Sequence, residues 1–129
     1  MSQTIFAQII AGTLPCHKIY EDEQTLAFLN INPVQPGHTL VIPKTAAEFV
    51  WDLDPNTYAA LMTTVQKVAH RLRQVLSTSY VGEKIVGVDV PHAHVHLIPF
   101  SEISEFEQEP KPGAPDHAGL AAMAKSLAF

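Results

Sequence analysis

Apolar and polar positions recur along this chain with two periods, and the predicted elements follow from where the period changes. From Ser2 to Ala11, Ile5, Phe6, Ile9 and Ile10 fall at helical spacing. Gly12 can take the left-handed conformation that ends a helix, so a short amphipathic helix is predicted there. Cys16 to Tyr20 and Thr25 to Ile31 read as strands joined by a turn at Glu21-Asp22-Glu23. The unbroken run Leu26-Ala27-Phe28-Leu29 predicts burial on both faces of the second strand. Asn32-Pro33-Val34-Gln35-Pro36-Gly37 is a stiff loop, because two prolines fix φ. A strand from His38 to Ile42 follows, and Pro43 ends it.

The second half is more helical. Ala46 to Leu53 predicts a helical turn or short helix carrying Phe49 and Trp51. Asp54-Pro55 pairs an N-cap acceptor with proline at the first helical position, and the helix should run to about Ser77. Its apolar stripe is Tyr58, Leu61, Met62, Val65, Ala69, Leu72, Val75 and Leu76. Lys67, Arg71 and Arg73 read as a solvated face near its C-terminal end. Ser79 to Val90 is extended, with a turn at Gly82 or Gly87, and a strand from about Ala93 to Ile98 follows. Ser101 to Pro115 is acidic and proline-rich and predicts an irregular crossing segment. Asp116 can cap a last short helix, His117 to Ala128, with Leu120, Met123 and Leu127 on its apolar side and His117 incidental. Neither a repeat nor a linker is visible, which predicts one domain over residues 1–129 with its core in about 4–100.

Composition narrows the function classes. A chain with 47% hydrophobic and 16% charged residues is globular rather than disordered. A net charge of −5 with only 8 Lys and Arg leaves no basic face for duplex binding, so nucleic acid is not an expected partner. The single cysteine, Cys16, excludes an intrachain disulfide and is expected to be a small buried side chain. Met1-Ser2-Gln3-Thr4 lacks the features of a signal peptide, and no apolar run is long enough to cross a bilayer. A cytoplasmic protein with no membrane partner is expected.

Candidate chemistry concentrates in His92-Ala93-His94-Val95-His96-Leu97-Ile98. In an extended strand His92, His94 and His96 share one face, and Ala93, Val95 and Leu97 point into a core. Buried imidazoles at period two are costly unless each is hydrogen-bonded, so packing alone is a poor explanation. Neutral imidazole titrates near neutrality and offers one donor and one acceptor, which suits a phosphate-handling surface. It equally suits a three-histidine metal centre, since His-x-His on a strand is good zinc geometry. His38, where a loop passes into a strand, reads by itself as a surface histidine.

The histidine run resembles the signature of the histidine triad family, His-φ-His-φ-His-φ-φ. The likeness extends upstream to Thr4-Ile5-Phe6, Tyr20-Glu21-Asp22, Leu26-Ala27-Phe28 and the block Asn32 to Lys44, which look like Hint-like members. It implies a HIT-like α+β fold: an antiparallel sheet of about five strands with a short N-terminal helix and one long helix. It also implies a two-fold homodimer and a hydrolase of purine nucleotide conjugates needing no cofactor. Its substrates would be nucleoside phosphoramidates, nucleotidyl anhydrides or dinucleoside polyphosphates.

In that reading His94 is the nucleophile that forms a nucleotidyl-histidine intermediate, and His96 donates to phosphate oxygens. His92 and His38 orient the site, with the His92 carbonyl holding the other nitrogen of His94. Ile5, Phe6, Phe28 and Ile31 would form an apolar slot for the base. Three positions depart from the family pattern. Asn30 stands where many members have the ribose-binding Asp, Val88 replaces a phosphate-donating Gln, and Asp89 replaces a Ser or Thr near the leaving group. The Cys-x-x-Cys and His of a structural zinc site are replaced by Thr4, Ala7 and Ala46. The alternatives are a nucleotide-binding or sensing member with little turnover, and the three-histidine metal centre.

Overall fold

The computed structural model describes residues 4–129, so the predicted helix start at Ser2 lies outside the described residues. Helix α1 (Ile5–Ala11) begins where the Thr4 hydroxyl accepts from the Ala7 N–H at 3.0 Å. It closes at Gly12, whose φ of +81° is open to glycine without strain. Five strands make one antiparallel sheet in the order β1-β2-β3-β5-β4, which is the α+β architecture expected. They are β1 (Lys18–Glu21), β2 (Thr25–Leu29), β3 (Thr39–Pro43), β4 (Tyr80–Lys84) and β5 (Val95–Phe100).

Several predicted boundaries move for local reasons. Strand β1 starts at Lys18 rather than Cys16, and β3 starts at Thr39 rather than His38. Strand β2 stops before Asn30, whose side-chain oxygen accepts from the Asn32 N–H at 2.8 Å and turns the chain. Residues 46–53 hold one 3-10 turn (Val50–Asp52), because the Ala47 carbonyl is taken by the Ala93 N–H at 2.7 Å. Strand β4 runs straight through Gly82, where a side chain would collide with the Phe106 ring, and the turn falls at Gly87. The crossing segment is not wholly irregular. Within it Glu102 and Glu105 cap each other's backbone around helix α3 (Ile103–Phe106).

Helix α2 (Pro55–Val75) starts as expected, with Asp54 accepting from the Thr57 N–H at 2.9 Å. Its buried stripe is Leu61, Thr64, Val65, Val68 and Leu72, whereas Tyr58 and Val75 are 43% and 37% exposed. Thr64 is buried because its hydroxyl meets that of Thr25 at 2.7 Å. Arg71 is not on a solvated face: its guanidinium donates to the backbone carbonyls of Leu127 and Ala128. It thereby fastens helix α4 (His117–Leu127) to α2.

Strand alternation divides the sheet into two buried faces. Ile19, Ala27, Leu29, Val41, Val95 and Leu97 pack under Leu61, Val65, Val68 and Leu72 of α2 and Leu127 of α4. On the other face Leu26, Phe28, Leu40 and Ile42 pack against Phe6 of α1. That second face carries the histidines.

Candidate active site

Residues His92 to His94 are not in the strand. The β3–β5 ladder pairs Val41 with Val95 and ends there. Two positions on, Pro43 has no N–H to donate, and its carbonyl is occupied by the His92 Nε2–H at 2.8 Å. Only His96 of the three lies in β5, directly opposite Leu40 on β3 and Lys84 on β4. His94 is brought beside it by the approach loop, with ring centroids 5.0 Å apart. The Phe6 ring meets the His94 ring edge-on at 5.1 Å. His38, far from a surface histidine, is as buried as the others: none of the four is more than 6% exposed.

Each buried imidazole is held in a defined tautomer by a backbone group that has no choice of role, directly or, for His96, through His38. The Val34 N–H can only donate, so the His38 Nδ1 it approaches at 3.1 Å carries a lone pair. His38 Nε2 is then the protonated nitrogen and donates to His96 Nδ1 at 3.0 Å. That leaves His96 Nε2–H as a donor with its direction set by a strand. The His92 carbonyl can only accept, so His94 Nδ1 carries the proton that reaches it at 2.7 Å. His94 Nε2 therefore points away as the basic nitrogen. It meets Asp89 Oδ1 at 3.1 Å.

Electrostatics favour the neutral form of His38, His92 and His96. Burial, with the neighbouring His96 and Lys84, lowers the His38 imidazole to about 3. Burial, with His94 and Lys84 against a smaller opposing pull from Asp89, lowers His96 to about 4. Burial also lowers His92. Burial would raise the Asp89 carboxyl, but attraction from His94 and backbone N–H groups outweighs it and holds the group below the usual range.

The geometry does not match a three-histidine metal centre. His92 is turned to the Pro43 carbonyl, and the cluster of possible ligands among the described residues is Asp89, His94 and His96, within 4.8 Å of one another. A metal there needs a bare His96 Nε2. The donation that starts at the Val34 N–H puts a proton on that nitrogen, so the arrangement suits an anion better than a cation.

Two cavities meet at Asn30 and Asp89, beside these groups. The first, of 580 Å³, is lined by Ile5, Phe6, Phe28, Leu40, Asn30, Ile31 and Asp89, and its size fits a nucleoside. Ile5 and Ile31 are exposed at its rim rather than enclosed. The Asn30 oxygen is engaged by the Asn32 N–H, and its amide N–H2 has no partner among the described residues and is left for a ligand. The second cavity, of 470 Å³, starts from Asn30, Asp89, His38 and His96 and extends to Lys84 and the segment from Phe106 to Pro110. Val88 points to solvent and lines neither.

Four residues went unnoticed in the sequence as site neighbours. Lys84 had a usable signal, its place in a strand beside the histidine strand, but register alone sets it opposite His96. Cys16 is half-buried, packing against the Phe6 and Phe28 side of the core while also lining the first cavity. His17 and His117 lie 100 residues apart, yet their rings share a hydrogen bond at 2.9 Å on the rim of that cavity. No local pattern could have paired them, and His117 is not incidental to the cavity's shape.

Comparison with known proteins bears on this geometry. Residues 11–103 match the HIT domain family model. The chain is 43% identical over 101 residues to Protein hit of Bacillus subtilis (strain 168), covering 74% of this chain and 69% of that one. It is 35% identical to adenosine 5′-monophosphoramidase hnt1 of Schizosaccharomyces pombe, covering 74% of this chain and 72% of that one. Among solved structures, a Hit-like protein involved in cell-cycle regulation from Bartonella henselae superposes with a TM-score of 0.84 at 30% identity. That likeness covers 97% of this chain and 94% of the other.

Proposed function

The chain belongs to the HIT domain family, and on that premise we propose that it hydrolyses nucleotide conjugates through a nucleotidyl-histidine intermediate on His94. The observation that carries this reading is the directed pair of ring nitrogens. His94 Nδ1 is fixed on the His92 carbonyl, so Nε2 is the basic nitrogen, and the His96 Nε2–H stands beside it where a phosphate oxygen needs a donor. The phosphoramidase relative supports a phosphorus–nitrogen bond as one substrate class.

The chemistry can be followed atom by atom. A proton shared by His94 Nε2 and Asp89 passes to the carboxylate, baring the nitrogen lone pair. Nε2 attacks the α-phosphorus and forms a P–N bond as the bond to the leaving group breaks. The departing nitrogen or oxygen keeps the electron pair and takes the proton from Asp89. Water then attacks the phosphorus and gives a proton to Asp89. The P–N bond to His94 breaks, the electron pair returns to Nε2, and a nucleoside monophosphate leaves. The neutral His38, His92 and His96 keep the site from trapping that anionic product too tightly.

The first cavity would take a purine, with Phe6 and Phe28 5.6 Å apart at its floor and the Asn30 amide at the ribose. A two-fold homodimer is part of the same proposal, supported by the free edge of β4 and the exposed Tyr80 upon it. Among the described residues no helix is long and apolar enough to cross a membrane, in keeping with the cytoplasmic location proposed.

A second reading, nucleotide binding with little turnover, is favoured by one observation. Asp89 occupies the very nitrogen that must attack. The deciding experiment is AMP release from adenosine 5′-phosphoramidate in excess EDTA, by the native chain and by His94→Ala. Release that survives EDTA and falls at least about a thousandfold in the variant is expected. Binding without release by the native chain would select the second reading, and loss of release on chelation would overturn both.

A further inference from the structure

Resting on the hydrolytic reading above, we propose that the second cavity is the leaving-group subsite and selects leaving groups that carry a positive charge. Attack on phosphorus proceeds in line, so the leaving group departs on the side of phosphorus opposite His94 Nε2. The nucleoside fills the first cavity. The space that remains in contact with both Asp89 and His96 is the 470 Å³ cavity, and the two cavities share Asn30 and Asp89 as their common wall. His96 supplies the independent sign of a ligand. It is 6% exposed, its Nδ1 is taken by His38, and its Nε2–H opens on this cavity with no partner among the described residues.

The walls then decide what kind of group departs there. Glu107 and Glu109 line the cavity together with Asp89, which gives three carboxylates against the single ammonium of Lys84. The Lys84 ammonium is itself committed to the Phe106 ring, 5.7 Å from its centroid. Neither Glu107 nor Glu109 has an ion pair among the described residues. An ammonium on the leaving group would meet unpaired carboxylates, and the terminal phosphates of a polyphosphate would be repelled by them. The substrate class is thus a nucleoside phosphoramidate of an amine whose far end is cationic. Its P–N bond breaks as in the scheme above, and the amine nitrogen takes the Asp89 proton.

The test compares kcat/KM for adenosine 5′-phosphoramidates of three amines of similar length: 1,4-diaminobutane, its N-acetyl derivative and 4-aminobutyrate. The expected order is cation over neutral over anion, with about tenfold between the ends at low salt. The spread should shrink to about twofold near 1 M salt, where screening reaches ~3 Å. The double variant Glu107→Gln, Glu109→Gln should collapse the cation-to-anion ratio. Lys84→Gln should widen it, and these opposite signs exclude a general loss of folding. Equal rates for the three amines, a preference for the anion, or a ratio unmoved in the double variant would overturn the selection and leave the hydrolytic reading standing. Failure of the native chain to cleave any of the three would instead sink the hydrolytic reading itself.

Discussion

The sheet face beneath α2 and the face beneath α1 are buried to similar depth and filled with different chemistry. Beneath α2, methyl and methylene groups of Leu61, Val65, Val68, Leu72, Val41 and Val95 interlock, and each is nearly or fully buried. Beneath α1, Phe6, Phe28, Leu40 and Ile42 share the space with four imidazoles. The first face is stabilised by area removed from water, which is tolerant of which apolar group supplies it. The second is tolerable only because every imidazole ends on a backbone group of fixed role: Val34, Pro43 or the His92 carbonyl. One face therefore sets stability, and the other directs protons. Leu61→Ala breaks the comparison most sharply. It should cost ~2–5 kcal/mol in urea unfolding, while turnover per folded molecule stays near the native value. A large loss of turnover with native stability would show that the faces are not separable.

His38 tests the other side of the same contrast. Replacing it with Leu keeps the volume but orphans the Val34 N–H and His96 Nδ1, at a cost of ~1–3 kcal/mol. The proton on His96 is then free to choose either nitrogen, and kcat should fall by ~10–100-fold with little change in KM. His38→Gln keeps a donor toward His96 and should recover part of that kcat, which a purely structural role for His38 does not predict. The same groups make the fold acid-sensitive. Both His38 and His96 are lowered far below their ordinary value, to about 3 and about 4. As pH falls below about 6.5, the unfolded chain binds protons that the folded chain refuses, so stability present above that pH is lost by ~1.4 kcal/mol per pH unit for each histidine. Thermal melts between neutrality and mild acid should show this slope, and it should be shallower in His38→Leu.

These two faces were not equally legible in the sequence. The apolar stripe of α2 and the caps Asp54 and Gly12 are local patterns, and the elements built on them stand where expected. The histidine row was visible as a period of two, yet its geometry is not that of a strand. Pro43 ends the ladder two residues early, and the rows come together through loops. Asp89 on His94, Lys84 opposite His96 and His17 beside His117 depend on register or on packing between segments up to 100 residues apart. Periodicity carries no record of those distances. Thr64 is illegible for the converse reason: a hydroxyl counts as polar in a pattern, although a partner makes it buriable.

That threonine gives the smallest and most selective test of the contrast, because it is a buried polar device on the apolar face that resembles the histidine face in kind. Thr25 Oγ1 donates to Asp22 Oδ1 at 3.0 Å and accepts from the Thr64 hydroxyl at 2.7 Å. Burial would raise the Asp22 carboxyl, yet the Gln24 and Thr25 N–H groups with the Thr25 and Tyr20 hydroxyls hold it below the ordinary range. Thr64 stands at the end of this chain, so Thr64→Val removes a donor and orphans nothing, and it should cost no more than ~1 kcal/mol. Thr25→Val takes out the middle, leaving the Thr64 hydroxyl buried without a partner and Asp22 short of a donor. It should cost ~1–3 kcal/mol. Equal losses for the two variants would mean that the hydroxyls matter only as volume. The ordering expected here, end below middle, is the same rule that makes His38 matter more than its distance from His94 implies.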